Sequence, residues 1–144
     1  MKLRRATALD ATELAQLENT QPLCAHWGEK GWQSEVTQAA SNIWCVEIEG
    51  KLVGFAAMRL AAGLGEILNV AVHPQYCRHG IAFRLLSKLV NEAREQGCEQ
   101  ITLEVNIRNL AAISLYSKAG FAEVGRREKF YNGQDDALIM GMSL

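Results

Sequence analysis

One stretch of the chain constrains the fold more than any other, because it predicts two buried parallel strands joined by a helix. The strand from Ile67 to Val72 is mostly apolar, as expected for a strand covered on both faces. Apolar residues then recur at helical spacing over 81–96, and Gly97 follows at the usual place for a helix end. The next strand spans 100–105. A strand–helix–strand unit of this length requires parallel strands and a right-handed crossover.

The pattern on either side of this unit predicts antiparallel hairpins, so the sheet should be mixed. A capping box at Thr7 and Asp10 opens the first helix, Asn109 can cap the last one, and a short second helix is expected around Trp32. The first helix is predicted to end near Asn19 and the last to span 110–119. The other predicted strands cover 2–6, 43–48, 52–60, 121–127 and 137–142, and turns are predicted at 49–51, at Gly63 and Gly65, at Gly120 and at 131–133. We therefore expect a single α/β domain over residues 1–144, with helices on the faces of the sheet.

Composition places the chain among ordinary globular proteins and excludes several functions. Apolar residues make up 49% and charged residues 22% of the 144 residues, so one sizeable core is expected without disulfides or metal. The 15 basic and 16 acidic side chains leave a net charge of −1, which disfavours nucleic acid as the main partner. No apolar run approaches the ~20 residues of a membrane span, so no membrane association is expected.

Two further observations favour the cytoplasm. The basic start, Met1 to Arg5, is not followed by the apolar segment of a signal peptide. The chain has four widely spaced cysteines and no Cys-x-x-Cys pair: Cys24, Cys45, Cys77 and Cys98. Free thiols without an export signal indicate a reducing compartment.

The segment from Arg78 to Ala82 joins the buried strand to the strongest helix and has the features of an anion site. The first turn of a helix offers unpaired N–H groups at the positive end of its dipole. Gly80 has no side chain, so a phosphate or pyrophosphate can approach this backbone. The alternative is that Gly80 only makes a tight turn, and spacing alone does not separate the two. The sequence lacks the Walker A and Gly-x-Gly-x-x-Gly patterns, so ATP and dinucleotide sites are not indicated.

The same region contains three side chains of metal-ligand type within seven residues, namely His73, Cys77 and His79. No fourth ligand is nearby, and a dication would face the positive end of the helix dipole. We therefore predict no metal site and interpret the three as ordinary loop residues.

Two further residues can carry proton chemistry. Glu104 lies on the strand face opposite Leu103, near the carboxyl end of a parallel strand, where open α/β sheets place their ligands. It is therefore either a solvent-facing carboxylate or a general base. Tyr116 falls at helical spacing with Ile113, so it is either a core aromatic or a phenol that protonates a leaving thiolate.

The run from Asn69 to Ala82 forms a longer motif that resembles the acetyl-CoA motif of the GNAT acetyltransferases. That motif is Gln/Arg-x-x-Gly-x-Gly/Ala after the fourth strand, and here Gly80 and Ala82 match it. Cys77 stands in place of the Gln or Arg, and Phe83 where the family often has Arg or another small or polar residue. Because the family's pyrophosphate contacts are mainly backbone N–H groups, the change at Cys77 should reduce affinity without abolishing binding.

A second motif covers the distal half of the chain, Leu103-Glu104-Val105-x-x-x-Asn109-x-x-Ala112-x-x-Leu115-Tyr116-x-x-x-Gly120-Phe121. It resembles the GNAT subfamily of ribosomal-protein-alanine N-acetyltransferases (RimI type). Trp27 with the helix after it, Arg126-Arg127-x-x-x-Tyr131 and the run from Asp136 to Met140 resemble the same subfamily. The resemblance covers nearly the whole chain.

The resemblance implies a GNAT fold, a donor site and a mechanism. The sheet should splay between the strands 67–72 and 100–105, with acetyl-CoA entering the cleft from one side and the acceptor amine from the other. Glu104 is implied as the general base and Tyr116 as the general acid, and direct attack needs no acyl-enzyme. The residues implied to hold acetyl-CoA are Val70, Ala71 and Val72 at pantetheine, Arg78, His79, Gly80, Ile81, Ala82 and Phe83 at pyrophosphate, and Asn109 at the cofactor arm.

The implied acceptor is the N-terminal α-amine of a protein, in particular a ribosomal protein starting with alanine. Trp27 and Tyr131 are then expected on the acceptor groove, and we expect a monomer or at most a weak dimer. Two alternatives stay open: a GNAT enzyme for another amine, such as a polyamine, a drug or a lysine, and a non-catalytic acyl-CoA-binding module. The acceptor groove, around residues 20–36 and near Tyr131, distinguishes an enzyme for protein N-termini from an enzyme for another amine. The presence of Glu104 and Tyr116 disfavours the non-catalytic binding module.

Overall fold

Seven strands and four α-helices make up the protein in the computed structural model, which describes all residues 1–144. The strands are β1 (Lys2–Arg5), β2 (Ser41–Ile48), β3 (Lys51–Ala61), β4 (Leu64–Val72), β5 (Gln100–Asn106), β6 (Ala122–Tyr131) and β7 (Asp135–Ser143). The helices are α1 (Ala11–Glu18), α2 (Gly28–Glu35), α3 (Ile81–Glu95) and α4 (Leu110–Lys118). One sheet has the order β1-β2-β3-β4-β5-β7-β6, in which β4 and β5 are parallel and all other neighbours antiparallel. The predicted mixed sheet is confirmed.

The predicted helix ends are also confirmed. Thr7 and Asp10 form a capping box, in which the Thr7 hydroxyl accepts from Leu9 N at 3.3 Å and Thr7 N donates to Asp10 Oδ2 at 2.7 Å. The box opens a short 3-10 turn that leads directly into α1. Gly97 after α3 and Gly120 after α4 take positive φ values of 78° and 106°, which is how glycine usually ends a helix.

Several predicted boundaries differ from the structure: β4 begins at Leu64 instead of Ile67, and β7 spans Asp135–Ser143 instead of 137–142. Gly63 and Gly65 are predicted to share a turn, but Gly65 already pairs in the β3–β4 ladder. The turn is tighter because Ala62 and Gly63, with φ of 53° and 78°, reverse the chain on their own. β6 is predicted to end at Arg127 and instead continues to Tyr131, because pairing with β7 resumes there after an irregular segment.

Helices cover both faces of the sheet, each over its own apolar core. On one face, α3 and α4 pack on the sheet, and Leu85, Leu86 and Leu89 of α3 are fully buried there. On the other face, α1 and α2 pack on it with Leu14 and Trp32 fully buried. Each such side chain contributes about 1.5–3 kcal/mol on burial, so both layers hold the sheet firmly. None of the helices is long and apolar enough to cross a membrane.

The parallel strands β4 and β5 pair over only four residues and then separate. Pairing ends at Ile67 opposite Leu103. Leu68 follows as a bulge on β4, because the β3 ladder passes from Ile67 directly to Asn69. A bulge bends its strand and increases the local twist, so the carboxyl halves of the two strands diverge. The predicted splay is therefore present, and we call the opening the β4–β5 gap.

One glycine sets how closely α3 approaches this gap. A Cβ on Gly54 of β3 would lie 3.2 Å from Ile81 Cγ2 and 3.3 Å from both Leu85 Cδ1 and the Ala71 carbonyl oxygen. Because Gly54 has no side chain, the first turns of α3 pack directly against the sheet. Gly54 lies opposite Val72, so the start of the helix is placed beside the end of β4.

Candidate active site

The start of α3 presents backbone donors without partners. Arg84 is the first residue of α3 whose backbone N–H has an acceptor within the chain, and it donates to the Gly80 carbonyl at 3.0 Å. The N–H groups of Ile81, Ala82 and Phe83 have no acceptor within the chain, and no side chain caps the helix. Gly80 takes a φ of 75° and is exposed, with open space where a Cβ would lie. This geometry is suited to a phosphate or pyrophosphate at the positive end of a 15-residue helix.

The end of β4 turns further N–H groups toward the gap. His73 N donates across to Val53 O on β3 at 2.8 Å. Because N–H direction alternates along a strand, Ala71 N points to β3 as well, whereas Val70 N and Val72 N point toward the β4–β5 gap. A strand edge that is left unpaired in this way can bind an extended amide chain such as pantetheine and can donate to a carbonyl oxygen.

Glu104 is the first residue of β5 after the last one that pairs with β4, so it lies beside the opening of the gap. It lies on the α1/α2 face, opposite the buried Leu103. Its side chain is 28% exposed, and Arg127 Nη2 lies 3.1 Å from Glu104 Oε1. The carboxylate is therefore partly shielded, reachable from solvent and paired with one cation.

Tyr116 lies on the other face of the sheet. The ring is buried in the core under α3 and α4 and packs edge-to-face on Phe121, with 5.9 Å between ring centroids. The Tyr116 side chain is only 6% exposed. Burial raises the pKa of Tyr116 above its ordinary value, with smaller contributions from Cys24 and Tyr131. The phenol thus stays protonated at neutral pH and can act as a donor.

Tyr131 lies near enough to both Glu104 and Tyr116 to interact with them electrostatically. Burial, and then the charge of Glu104, raises the pKa of the Tyr131 phenol, and Tyr131 in turn acts on Tyr116. Its ring packs edge-to-face on Phe130 at 5.1 Å. The structure therefore brings Glu104, Tyr116 and Tyr131 to one cleft, although they come from β5, α4 and β6.

The segment 19–27, which forms a wall beside the end of β4, is anchored by the buried carboxylate of Glu18 at the end of α1. Glu18, which is 1% exposed, accepts three N–H bonds, from Trp27 N at 3.0 Å, Gly28 N at 2.7 Å and Trp32 Nε1 at 2.9 Å. It therefore caps the start of α2 and fixes the turn before it. Trp27 is half-buried and packs on Trp32, with 4.6 Å between ring centroids, so it stabilises this segment by packing.

Two hydrogen bonds tie the segment 19–27 to the end of β4. Gln21 Nε2 donates to Val72 O at 2.9 Å, and Asn69 Nδ2 donates to Ala25 O at 2.9 Å. Cys24 lies between them, and burial raises the pKa of its thiol to about 11, although a hydrogen bond from Asn69 opposes the shift. The Cys24 thiol near Tyr116 is thus uncharged at physiological pH.

The remaining predicted site residues lie at the α3 and α4 starts. Asn109 Oδ1 accepts from Ala112 N at 3.2 Å, so the predicted cap is confirmed and the amide nitrogen is left for another partner. Arg78 and His79 are exposed beside Gly80, and Phe83 is 43% exposed. No three His, Cys, Asp or Glu side chains lie close enough to hold one metal ion.

Several residues of this region receive no role in the site from the sequence, even where they stand in a quoted motif, namely Arg127, Glu18, Gln21, Asn69 and Cys24. Their roles depend on contacts between segments far apart in the chain, such as Arg127 with Glu104. The one available signal was strand alternation, which places Asn69 and Ala71 on the same face of β4.

The comparisons with known proteins agree with this geometry. The family model described as "Acetyltransferase (GNAT) family" matches residues 8–121. The chain therefore belongs to the GNAT acetyltransferase family and is an N-acetyltransferase, as its motifs predict.

Three relatives indicate its place in the family. The [Ribosomal protein bS18]-alanine N-acetyltransferase of Escherichia coli (strain K12) is 33% identical over 121 residues, which cover 82% of this chain and 81% of that protein. A crystal structure of the ribosomal-protein-S18-alanine N-acetyltransferase from Escherichia coli matches with a TM-score of 0.89 and 28% identity, covering 99% of this chain and 92% of that one. An N-alpha-acetyltransferase of Sulfurisphaera tokodaii is 26% identical over 99% of this chain and 93% of its own. The resemblance to the ribosomal-protein-alanine subfamily is thereby confirmed.

Proposed function

We propose that this protein transfers the acetyl group of acetyl-CoA to the N-terminal α-amine of a protein, by direct attack in a ternary complex. The observation that carries the proposal is the β4–β5 gap. It has unpaired backbone donors along one edge and Glu104 beside it on one face of the sheet, and Tyr116 in the core of the other face would direct its hydroxyl to it.

The donor side is formed by backbone groups that fit the parts of acetyl-CoA. The N–H groups of Ile81, Ala82 and Phe83 would hold the pyrophosphate, with Arg78 and His79 beside them. Val70 N and Val72 N would pair with pantetheine and polarise the carbonyl. The Asn109 amide nitrogen would contact the arm. The bound molecule supplies an activated acyl group, and the chain supplies its orientation.

Glu104 would act as the general base. An α-amine has a pKa near 7.7–8.0, so much of it carries a proton at neutral pH and only the neutral form attacks. Glu104 can remove that proton directly or through a water, because its carboxylate is partly exposed at the gap. Tyr116 would give its phenolic proton to the departing sulfur, and no acyl-enzyme forms.

The acceptor is proposed to be a protein starting with alanine, and a ribosomal protein in particular. The E. coli relatives at 33% and 28% identity are named for that activity, and the Sulfurisphaera relative is named an N-alpha-acetyltransferase. Trp27 and Tyr131 would flank the acceptor, and the uncharged Cys24 thiol would lie on the same side.

A panel of amines with acetyl-CoA, followed by release of free thiol, tests the proposal. The panel contains an Ala-starting peptide, the same peptide with a blocked N-terminus, a polyamine and a lysine derivative. We expect rapid release with the free Ala peptide alone, and loss of that signal in Glu104→Gln. Release with the polyamine or lysine derivative only would make the protein a GNAT enzyme for another amine. No release with any amine, despite acetyl-CoA binding, would make it a non-catalytic binding module.

A further inference from the structure

An arginine from the edge strand of the sheet holds the carboxylate at the gap. Arg127 Nη2 lies 3.1 Å from Glu104 Oε1, and no other cation lies within 4 Å of Glu104. The two residues are separated by the whole width of β7. Glu104 lies opposite Ile139 and Arg127 opposite Ala137, and those two β7 residues share one face. Arg127 therefore reaches diagonally across β7 on the acceptor side of the sheet.

The guanidinium is itself held in place by the segment that follows. Its carbon lies 5.1 Å from the centre of the Phe130 ring, an arrangement in which cation and ring attract each other. The backbone between Arg127 and Tyr131 departs from regular pairing, with Lys129 at a φ of 51° and Lys129 N donating to Asp136 Oδ1 at 2.9 Å. Arg127 is thus the link between the β6–β7 turn region, which carries Tyr131, and the carboxylate of Glu104.

We propose that Arg127 is the positioning residue for Glu104, an inference that rests on the proposed function and deepens it. Arg127 occupies Oε1 and so directs Oε2 toward the amine that enters the gap. Because a guanidinium stays charged at all working pH values, it holds the carboxylate without exchanging a proton with it. The Phe130 contact ties that orientation to the conformation of residues 128–131, so acceptor binding and base orientation are coupled.

The structural alternative is an ordinary surface ion pair. The Arg127 side chain is 56% exposed, and pairs of this kind commonly contribute little to stability. The neighbouring arginine provides a matched control. Arg126 points to the opposite face of β6, lies 3.6 Å from carboxylate oxygens of Glu123 and Asp136, and is 47% exposed.

The first experiment compares Arg127→Ala, Arg127→Lys and Arg126→Ala, each shown by circular dichroism to be folded. Misplacing a catalytic group by about 1 Å can reduce a rate by about 100-fold, so we expect kcat in Arg127→Ala to fall by about 10- to 100-fold. The Kd for acetyl-CoA should stay unchanged. Arg127→Lys should recover part of the rate, and Arg126→Ala should keep the full rate.

Two readouts separate positioning from a merely structural role. Added methylguanidinium should restore part of the rate of Arg127→Ala, and it should have no effect on Arg126→Ala. In a Glu104→Gln background, Arg127→Ala should cause little further loss, because Arg127 acts through that carboxylate. Additive losses, absence of rescue, or an equal loss in Arg126→Ala would each overturn the proposal.

Failure of this inference is distinguishable from failure of the proposed function. If Glu104→Gln loses the rate while Arg127→Ala keeps it, the positioning role alone is overturned. If Glu104→Gln itself keeps the wild-type rate, Glu104 is not the base, and both assignments are overturned together.

Discussion

Tyr116 and Glu104 lie on opposite faces of one sheet. Tyr116 is anchored in the α3/α4 core by its packing on Phe121, whereas Glu104 stands on the α1/α2 side. A proton acceptor and a proton donor placed in this way can act on the two ends of one reaction, the incoming amine and the outgoing sulfur. Each role depends on one polar group, and the rest of each side chain serves packing or reach.

Tyr116→Phe should therefore change catalysis and little else. The substitution keeps the ring and its contact with Phe121 and removes only the hydroxyl. General acid help is typically worth 10²–10⁴-fold, so kcat should fall within about that range. The Kd for acetyl-CoA and the KM for the acceptor should hardly change, since the interaction is made mainly in the transition state.

Tyr76→Phe provides the matched control, because Tyr76 is a half-buried tyrosine in the turn after β4 that has no proposed role in the reaction. It should retain the wild-type kcat. If Tyr116→Phe also retains it, Tyr116 is only a core aromatic. If Tyr116→Phe fails to fold, the hydroxyl is structural and the acid has to be Tyr131 or a bound water.

Among the elements of the fold, the first turn of α3 has the sharpest proposed role. Gly80→Asp and Gly80→Asn test it as a pair, since both residues tolerate the left-handed backbone that Gly80 adopts at φ 75°. Neither side chain meets protein atoms there, because the space around a Cβ is open. The Asp variant adds a negative charge where a pyrophosphate would lie, so its affinity for acetyl-CoA should be lower than that of the Asn variant by about tenfold or more.

The control for this pair lies at the other end of the same helix. Gly97→Asn alters a residue with nearly the same φ, 78°, and should leave the affinity for acetyl-CoA unchanged in calorimetry. Equal affinities for Gly80→Asp and Gly80→Asn would remove the pyrophosphate from the start of α3.

The wall of residues 19–27 depends on Glu18. Glu18→Gln places an amide nitrogen where a carboxylate oxygen accepts an N–H bond, so at least one buried donor loses its acceptor. A loss of this kind costs about 1–3 kcal/mol in the free energy of unfolding, which urea titration measures. The exposed Glu95→Gln should show no change, and the acceptor KM should rise only in Glu18→Gln. Unchanged stability in Glu18→Gln would show that the wall is held by other contacts.

At the scale of the whole molecule, the features that the sequence predicts well are local or periodic. The helix over 81–96, the cap at Asn109 and the hairpin strands follow from apolar spacing and capping residues, and the parallel β4–β5 pair follows from the length of its crossover. The boundaries at Gly65 and Tyr131 are predicted wrongly because each depends on pairing with another strand, which no local pattern encodes.

The candidate site divides in the same way. Gly80, Glu104 and Tyr116 stand in recognisable motifs, so resemblance to a family is sufficient to select them. Arg127 comes to Glu104 across β7, and Glu18 comes to Trp32 from the preceding helix, so both depend on tertiary packing. The bulge at Leu68, which opens the gap, is likewise visible only in the register of the sheet.

The stability of the whole fold should decline in acid. The Arg4 guanidinium, bonded to Asp10 at 2.9 Å, lowers the pKa of that nearly buried carboxyl below its ordinary value. A carboxyl whose folded pKa is lowered stabilises the fold above its unfolded pKa of about 3.9, and this stabilisation is lost as the pH falls through the folded value. Urea unfolding between about pH 7 and about pH 3 should show that loss, and Arg4→Met should make the decline shallower. An equally steep decline in Arg4→Met would exclude this pair as its source.

The central claim concerns which nitrogen is acetylated. An Ala-starting peptide with one internal lysine, incubated with acetyl-CoA and the protein, is analysed by fragmentation mass spectrometry. The account predicts the acetyl group on the α-nitrogen of the alanine, none on a peptide whose N-terminus is blocked, and none with Glu104→Gln. Acetyl found only on the lysine ε-nitrogen, in the free and the blocked peptide alike, would contradict it.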